Sequence, residues 1–78
     1  MLRNIHARWL AEKLREARLA SGQSQSEIAE RLRKPQSYIS RCESGARRID
    51  IFELQEFARV YRKPLLFFIQ PENFDLRA

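Results

Sequence analysis

Cysteine is nearly missing from this chain. Cys42 is the single one among 78 residues, which excludes an internal disulfide and any cysteine-rich zinc site. Long apolar runs are missing too. No stretch approaches the roughly 20 residues that a membrane helix requires, and the start of the chain lacks the apolar segment of a secretory signal. The expectation is a reducing, cytoplasmic setting with no membrane partner. The one histidine, His6, has no companion for metal binding or acid–base work. No His/Cys/Asp cluster and no glycine-rich phosphate loop occurs, so neither an enzyme nor a cofactor is expected. Internal repeats and low-complexity segments are not evident.

What is present suits a folded, basic domain. The hydrophobic content of 44% is ordinary for a globular chain. One domain over residues 1–78 is expected, with a modest core. The formal charge is +5, and its distribution says more than its total. Residues 1–48 hold eleven Lys/Arg against five Asp/Glu, and residues 49–78 hold four against five. A basic half beside a near-neutral half suits a polyanion-binding end and a second end free for another task.

The periodicity predicts an all-α fold of five helices. Leu10, Leu14 and Ala17 share one arc of a helix from about Ile5 to Ala20. Gly22 ends it, since glycine takes the left-handed conformation cheaply. Ser24 and Glu27 form a capping box for helix two, whose inward stripe is Ile28, Ala29 and Leu32. Pro35 opens helix three, which Gly45 stops. Asp50 and Glu53 cap helix four, with Ile49 stapled onto Leu54 and with Phe57, Ala58 and Tyr61 on its buried side. Pro64 opens a short fifth helix, Leu65 to Ile69, which Pro71 ends.

Residues Ser24 to Gly45 hold the functional signal. Two short amphipathic runs are joined by a tight polar turn. The second has an apolar side and a side made of Gln36, Ser37, Ser40, Arg41 and Ser44. Amides, hydroxyls and a guanidinium on the outer arc of a short helix are equipped to bond base edges in a DNA major groove.

With Gln25, Ala29, Ile39, Glu43 and Gly45 at their spacing, the chain resembles a Cro/phage-repressor type helix-turn-helix domain of the XRE family. The resemblance covers about residues 7–69 and leaves a tail, 70–78. It implies that Gln36, Ser37 and Arg41 read bases. Physically, Gln36 can pair bidentately with adenine and Arg41 with guanine, while Ser37 specifies less. Gln25, at the start of helix two, is expected at a phosphate. Tyr38 packs its ring inward and reaches a phosphate with its hydroxyl, Ser40 adds to the polar arc, and Arg47 and Arg48 are natural phosphate clamps. A plainer reading competes at each position. Gln36, Ser37 and Ser40 would serve equally as solvated surface, Arg41 as the partner of a carboxylate, and Tyr38 as core.

Relatives often join the positions of Arg18 and Glu43 by an ion pair tying helix one to the recognition helix, so these two are expected to be structural. The chain departs from the family pattern at three places. Arg33 stands where the turn usually has glycine, Gln23 where an apolar residue usually staples helix two, and Cys42 where a larger apolar residue is usual. Arg33 must adopt or avoid a left-handed backbone, and Cys42 is expected as a small core filler.

Leu65, Leu66, Phe67, Phe68 and Ile69 are five consecutive apolar residues. At 100° per residue they would cover a whole helix circumference, so some need a second surface. Leu66, Phe67, Phe68 and Ile69, extended by Phe74 and Leu76, are the expected homodimer interface, with the tail folding back within one chain as the other arrangement. Trp9, beside the buried arc of helix one, suits either. A two-fold dimer would place two recognition helices about 34 Å apart on a near-palindromic double-stranded operator. The expected function is a transcriptional regulator, a repressor acting by operator occupancy, with no effector domain after the DNA-binding fold. The alternative is a protein-interaction module, such as an antitoxin, that binds a different protein partner through the same apolar segment.

Overall fold

The computed structural model describes the backbone of residues 2–69 and side chains from Ala7 to Ile69. Four α-helices follow one another: α1 (Leu2–Ser21), α2 (Gln25–Leu32), α3 (Gln36–Ser44) and α4 (Ile51–Tyr61), with a single 3-10 turn at Leu65–Phe68. The described residues contain no strand. The expected all-α class holds, while the fifth helix is one 3-10 turn rather than an α-helix. The side chain of His6, and Pro71, Phe74 and Leu76 of the tail, lie outside the described residues.

Local chemistry accounts for most boundaries. α1 begins earlier than its apolar arc predicts, because nothing in the preceding residues breaks a helix. It ends at Gly22, whose φ of 74° lies in the left-handed region. The Ser24 hydroxyl accepts from the Glu27 amide at 3.0 Å, and the Glu27 carboxylate accepts from the Ser24 amide at 2.7 Å. Asp50 and Glu53 repeat this box at the start of α4, at 2.8 and 3.0 Å. Each box satisfies donors that a helix start leaves open. Pro35 lies one residue before α3 with an extended backbone, φ −69° and ψ 154°, rather than inside its first turn.

Arg33 adopts the left-handed conformation, with φ 59° and ψ 46°, and so does Arg62 at the end of α4, with φ 57° and ψ 46°. The two sites are copies. Arg33-Lys34-Pro35 is followed by Tyr38, and Arg62-Lys63-Pro64 by Phe67. In both, the arginine closes a helix, and the lysine amide bonds back to an alanine carbonyl, Ala29 or Ala58. The lysine ammonium then lies over the following ring, at 5.0 Å for Lys34 and 4.9 Å for Lys63. The likeness is confined to one helix end and the turn after it.

A left-handed arginine costs its helix about 1 kcal/mol that glycine would not. Arg33→Gly is therefore expected to raise the melting temperature by a few degrees, about 4–8 °C per kcal/mol in a domain of this size. A lower melting temperature would show that the arginine side chain stabilises the turn by more than the strain costs.

The core lies where α1, α3 and α4 meet over α2. Leu14, Ile28, Ile39, Cys42, Phe57 and Phe68 are its most buried members. Tyr38, Phe57 and Tyr61 stack in a row, with centroids 6.2 and 6.1 Å apart. Ala29 is buried at the crossing of α2 and α3, where a larger side chain would push the helices apart. Burial pushes the Cys42 thiol above its ordinary range, which suits an inert filler.

The 3-10 geometry sorts the apolar run. Side chains three apart eclipse in such a turn. Leu65 and Phe68 thus face the core together, Phe68 only 2% exposed, while Leu66 and Ile69 face out at 75% and 44%. Phe67 takes the third direction, edge-on to Phe68 and flanked by Lys13 and Lys63 at 4.6 and 4.9 Å. Lys13 also lies 5.0 Å from the ring of half-buried Trp9. Phe68 is thus used inside its own chain and leaves the expected interface set. Of the described members of that set, Leu66 and Ile69 stand exposed.

Candidate nucleic-acid interface

α3 has two unlike sides. Tyr38, Ile39 and Cys42 are buried against α1, α2 and α4, while Gln36, Ser37, Ser40, Arg41 and Ser44 are exposed. The helix spans Gln36–Ser44 with its polar arc unobstructed by the described residues. Arg41 has no carboxylate within ion-pair distance among the described residues, so its five donors remain available to a ligand. Among the described residues, nothing supports the ion-paired alternative for Arg41. Ser44 donates to the Arg41 carbonyl at 3.2 Å and helps close the helix.

Behind this arc runs a chain of hydrogen bonds. Arg18 donates to both oxygens of Glu43, Nε to Oε2 at 2.7 Å and Nη2 to Oε1 at 3.0 Å. Its third contact is Nη1 to the Gln23 carbonyl at 3.1 Å. The side chains are 12% and 5% exposed, which makes this a buried, bidentate pair. The Glu43 hydrogen bond raises the Arg18 guanidinium above its ordinary range, against the opposing pull of burial. Gln25 donates to Glu43 Oε1 at 3.0 Å and accepts from Gln36 Nε2 at 3.2 Å. Ser26 donates to Gln36 Oε1 at 3.3 Å. Gln25 and Gln36, which the sequence treats as separate contacts, are thus one unit.

Gln23 answers the missing staple with polarity. Its backbone carbonyl receives Arg18, and its side-chain carbonyl receives Arg31 at 3.0 Å.

Two residues expected at phosphates make contacts within the chain. The Tyr38 ring is 8% exposed and stacks on Phe57, and burial pushes its hydroxyl well above the usual phenol range. The ring therefore packs inward as expected, as a member of the core. Arg47 donates to Glu53 Oε2 at 2.8 Å and to the Arg48 carbonyl at 2.8 Å, with its guanidinium 4.7 Å from the Tyr38 ring. It fastens the loop after α3 onto α4. Arg48 stays exposed. Lys34, which sequence reasoning passed over, shares the Tyr38 ring with Arg47 and brings a second cation to the edge of α3. The signal for it was available, a lysine four residues before an aromatic at a proline-started helix.

Among the described residues, no group of His, Cys, Asp and Glu could hold a metal ion, and no helix is long and apolar enough to cross a membrane. No curated protein and no solved structure matches the chain. A protein family described as "Helix-turn-helix domain" does match, over residues 9–64. That span is more than half of the chain, and it contains α2, α3, the turn between them and the buried pair behind them. The chain therefore belongs to the helix-turn-helix domain family, of the XRE type, and is a DNA-binding regulator in the general sense of that family.

Proposed function

We propose that this regulator is a repressor that binds a near-palindromic operator as a homodimer. The observation that carries the reading is the exposed polar arc of α3, on which Arg41 has no ion-pair partner among the described residues, with the Arg18–Glu43 pair behind it. Arg41 supplies a forked donor for the O6 and N7 of guanine, and Gln36 an amide for adenine. Ser37 and Ser40 add hydroxyls that accept several bases. Arg48 and Lys34 supply positive charge beside the helix, and phosphate contacts of that kind set register without reading sequence.

One such helix reads only a few base pairs. Two of them on a two-fold axis make a usable address, and Leu66 and Ile69, which with Leu19, Ile51 and Phe52 are exposed large apolar residues, are the pair that a second copy would cover. Occupying an operator is by itself enough to repress.

Selection of binding sites from random duplex DNA tests affinity, symmetry and half-site spacing together. On the selected operator, Arg41→Ala is expected to cost about 1–3 kcal/mol and to relax preference at one base pair. An unchanged titration would remove Arg41 from the readout. Sedimentation should show a dimer at tens of micromolar that Leu66→Glu converts to a folded monomer. A strict monomer for the unaltered chain would end the dimer proposal.

A further inference from the structure

The ends of α2 and α4 enclose a groove of about 390 Å³, lined by Arg31, Leu32, Arg33, Glu56, Arg59 and Val60. It lies at the opposite end of α2 from Gln25, roughly 10 Å along the helix, and shares no residue with the polar arc of α3. Its floor is apolar and its rim is charged. Leu32 and Val60 are half-buried and pack on the core. Arg31, Arg33 and Arg59 are exposed. Among the described residues none of the three has a carboxylate within ion-pair distance, Glu56 of the same groove included. Arg31 uses one N–H on the neutral Gln23 side chain at 3.0 Å.

The carbonyl end of a helix attracts cations, which accounts for Arg31 and Arg59, each in the last turn of its helix. It does not account for Arg33. That residue is the cap itself, in a left-handed backbone that glycine takes without strain. Left-handed residues other than glycine recur at ligand clamps, but Arg62 caps α4 with the same backbone and does not line the groove. The conformation alone therefore marks no site. What separates Arg33 is its side chain, which brings a third unpaired guanidinium to a groove that already has two.

Three guanidinium groups stand against one carboxylate here, a formal surplus of two positive charges. Guanidinium forks match the oxygens of carboxylates and phosphates. A phosphate monoester carries a charge of about −2 near neutral pH, whereas a single carboxylate would leave one positive charge unmatched. The Glu56 carboxylate only accepts, so it calls for an N–H or O–H on the same ligand. Leu32 and Val60 offer a surface for an apolar or flat body, and the groove has the volume of a small-molecule site. We propose that this groove binds a small phosphate monoester whose organic part carries a hydrogen-bond donor, a nucleotide being one such ligand. Arg31, Arg33 and Arg59 hold the phosphate, Glu56 accepts from the donor, and Leu32 and Val60 pack against the body. The site is separate from the arc of α3 and does not rest on the reading of that arc.

Isothermal titration of the full chain with adenosine monophosphate tests the proposal. Saturable binding is expected, and adenosine without the phosphate should not bind. Arg33→Gly keeps the turn, and Arg59→Gln is a change at an exposed site, so both variants should fold. Each is expected to weaken nucleotide binding about tenfold, the loss of a charge-assisted contact. Inorganic phosphate should bind more weakly than the nucleotide. Glu56→Gln should bring the two affinities together, since it removes a charge that repels both and an acceptor that only the nucleotide uses. Arg41→Ala, on the arc of α3, should leave nucleotide binding as it was. Absence of saturable binding overturns the proposal, as does binding that Arg33→Gly and Arg59→Gln both leave unaltered. Inorganic phosphate binding as tightly as the nucleotide to the unaltered chain would show an anion site without recognition of the organic part. An equal loss in Arg41→Ala would place the nucleotide on the DNA surface. Either result likewise overturns it.

Discussion

Glu43→Ala is expected to destabilise the domain by about 3–5 kcal/mol, the range for breaking a buried ion pair from one side. The carboxylate accepts three hydrogen bonds, two from Arg18 and one from Gln25. Its removal strands a guanidinium that is 12% exposed and cannot shed its proton at any pH where the domain folds. The lost bonds join α1, α2 and α3, so all three helices loosen at once. A domain this small commonly has about 5 kcal/mol in total or little more, so much of the variant should be unfolded at ordinary temperature. Denaturant titration followed by circular dichroism measures this directly. A loss under about 1 kcal/mol would put the pair in the regime of exposed salt bridges and contradict its burial.

Phe68→Ala is the second large effect. Its ring is 2% exposed, packed edge-on against Phe67 with centroids 5.0 Å apart. Truncating a buried phenylalanine costs about 3–5 kcal/mol through lost transfer energy and the cavity left behind. Because the residue fills the core of its own chain, the cost should not depend on protein concentration. An interface residue behaves otherwise, since mass action restores its contacts as concentration rises. Leu66→Ala, at a site 75% exposed, should change the folding free energy of a single chain by less than about 0.5 kcal/mol. If Phe68→Ala melts as the unaltered protein does at high concentration, the 3-10 turn belongs to an interface and the core assignment is wrong.

The capping boxes at Ser24–Glu27 and Asp50–Glu53 were legible as residue types three apart, since both partners lie within one helical turn. The glycine ends at Gly22 and Gly45 were legible for a similar reason, because the left-handed backbone is a property of one residue. The polar arc of α3 followed from helical periodicity. Arg62 was not anticipated as a left-handed helix end, although the Arg-Lys-Pro triplet that ends at Pro35 recurs ending at Pro64. The run Leu65–Ile69 misled because periodicity was counted at 100° per residue. The observed turn advances three residues per cycle, and that change alone moves Phe68 inside and leaves Leu66 out.

Composition and spacing within the chain determined that this is a basic, all-helical domain with a helix-turn-helix at Ser24–Gly45. Those features depend on residues near one another, whose geometry the backbone supplies. Tertiary structure decided which polar groups are free. Arg47 is occupied because Glu53, from α4, pairs with it, the Tyr38 ring is buried because Phe57 stacks on it, and Gln36 is joined to Glu43 through Gln25. A side chain's donors are committed by whatever long-range folding places within about 3 Å of them, and no local pattern encodes that distance.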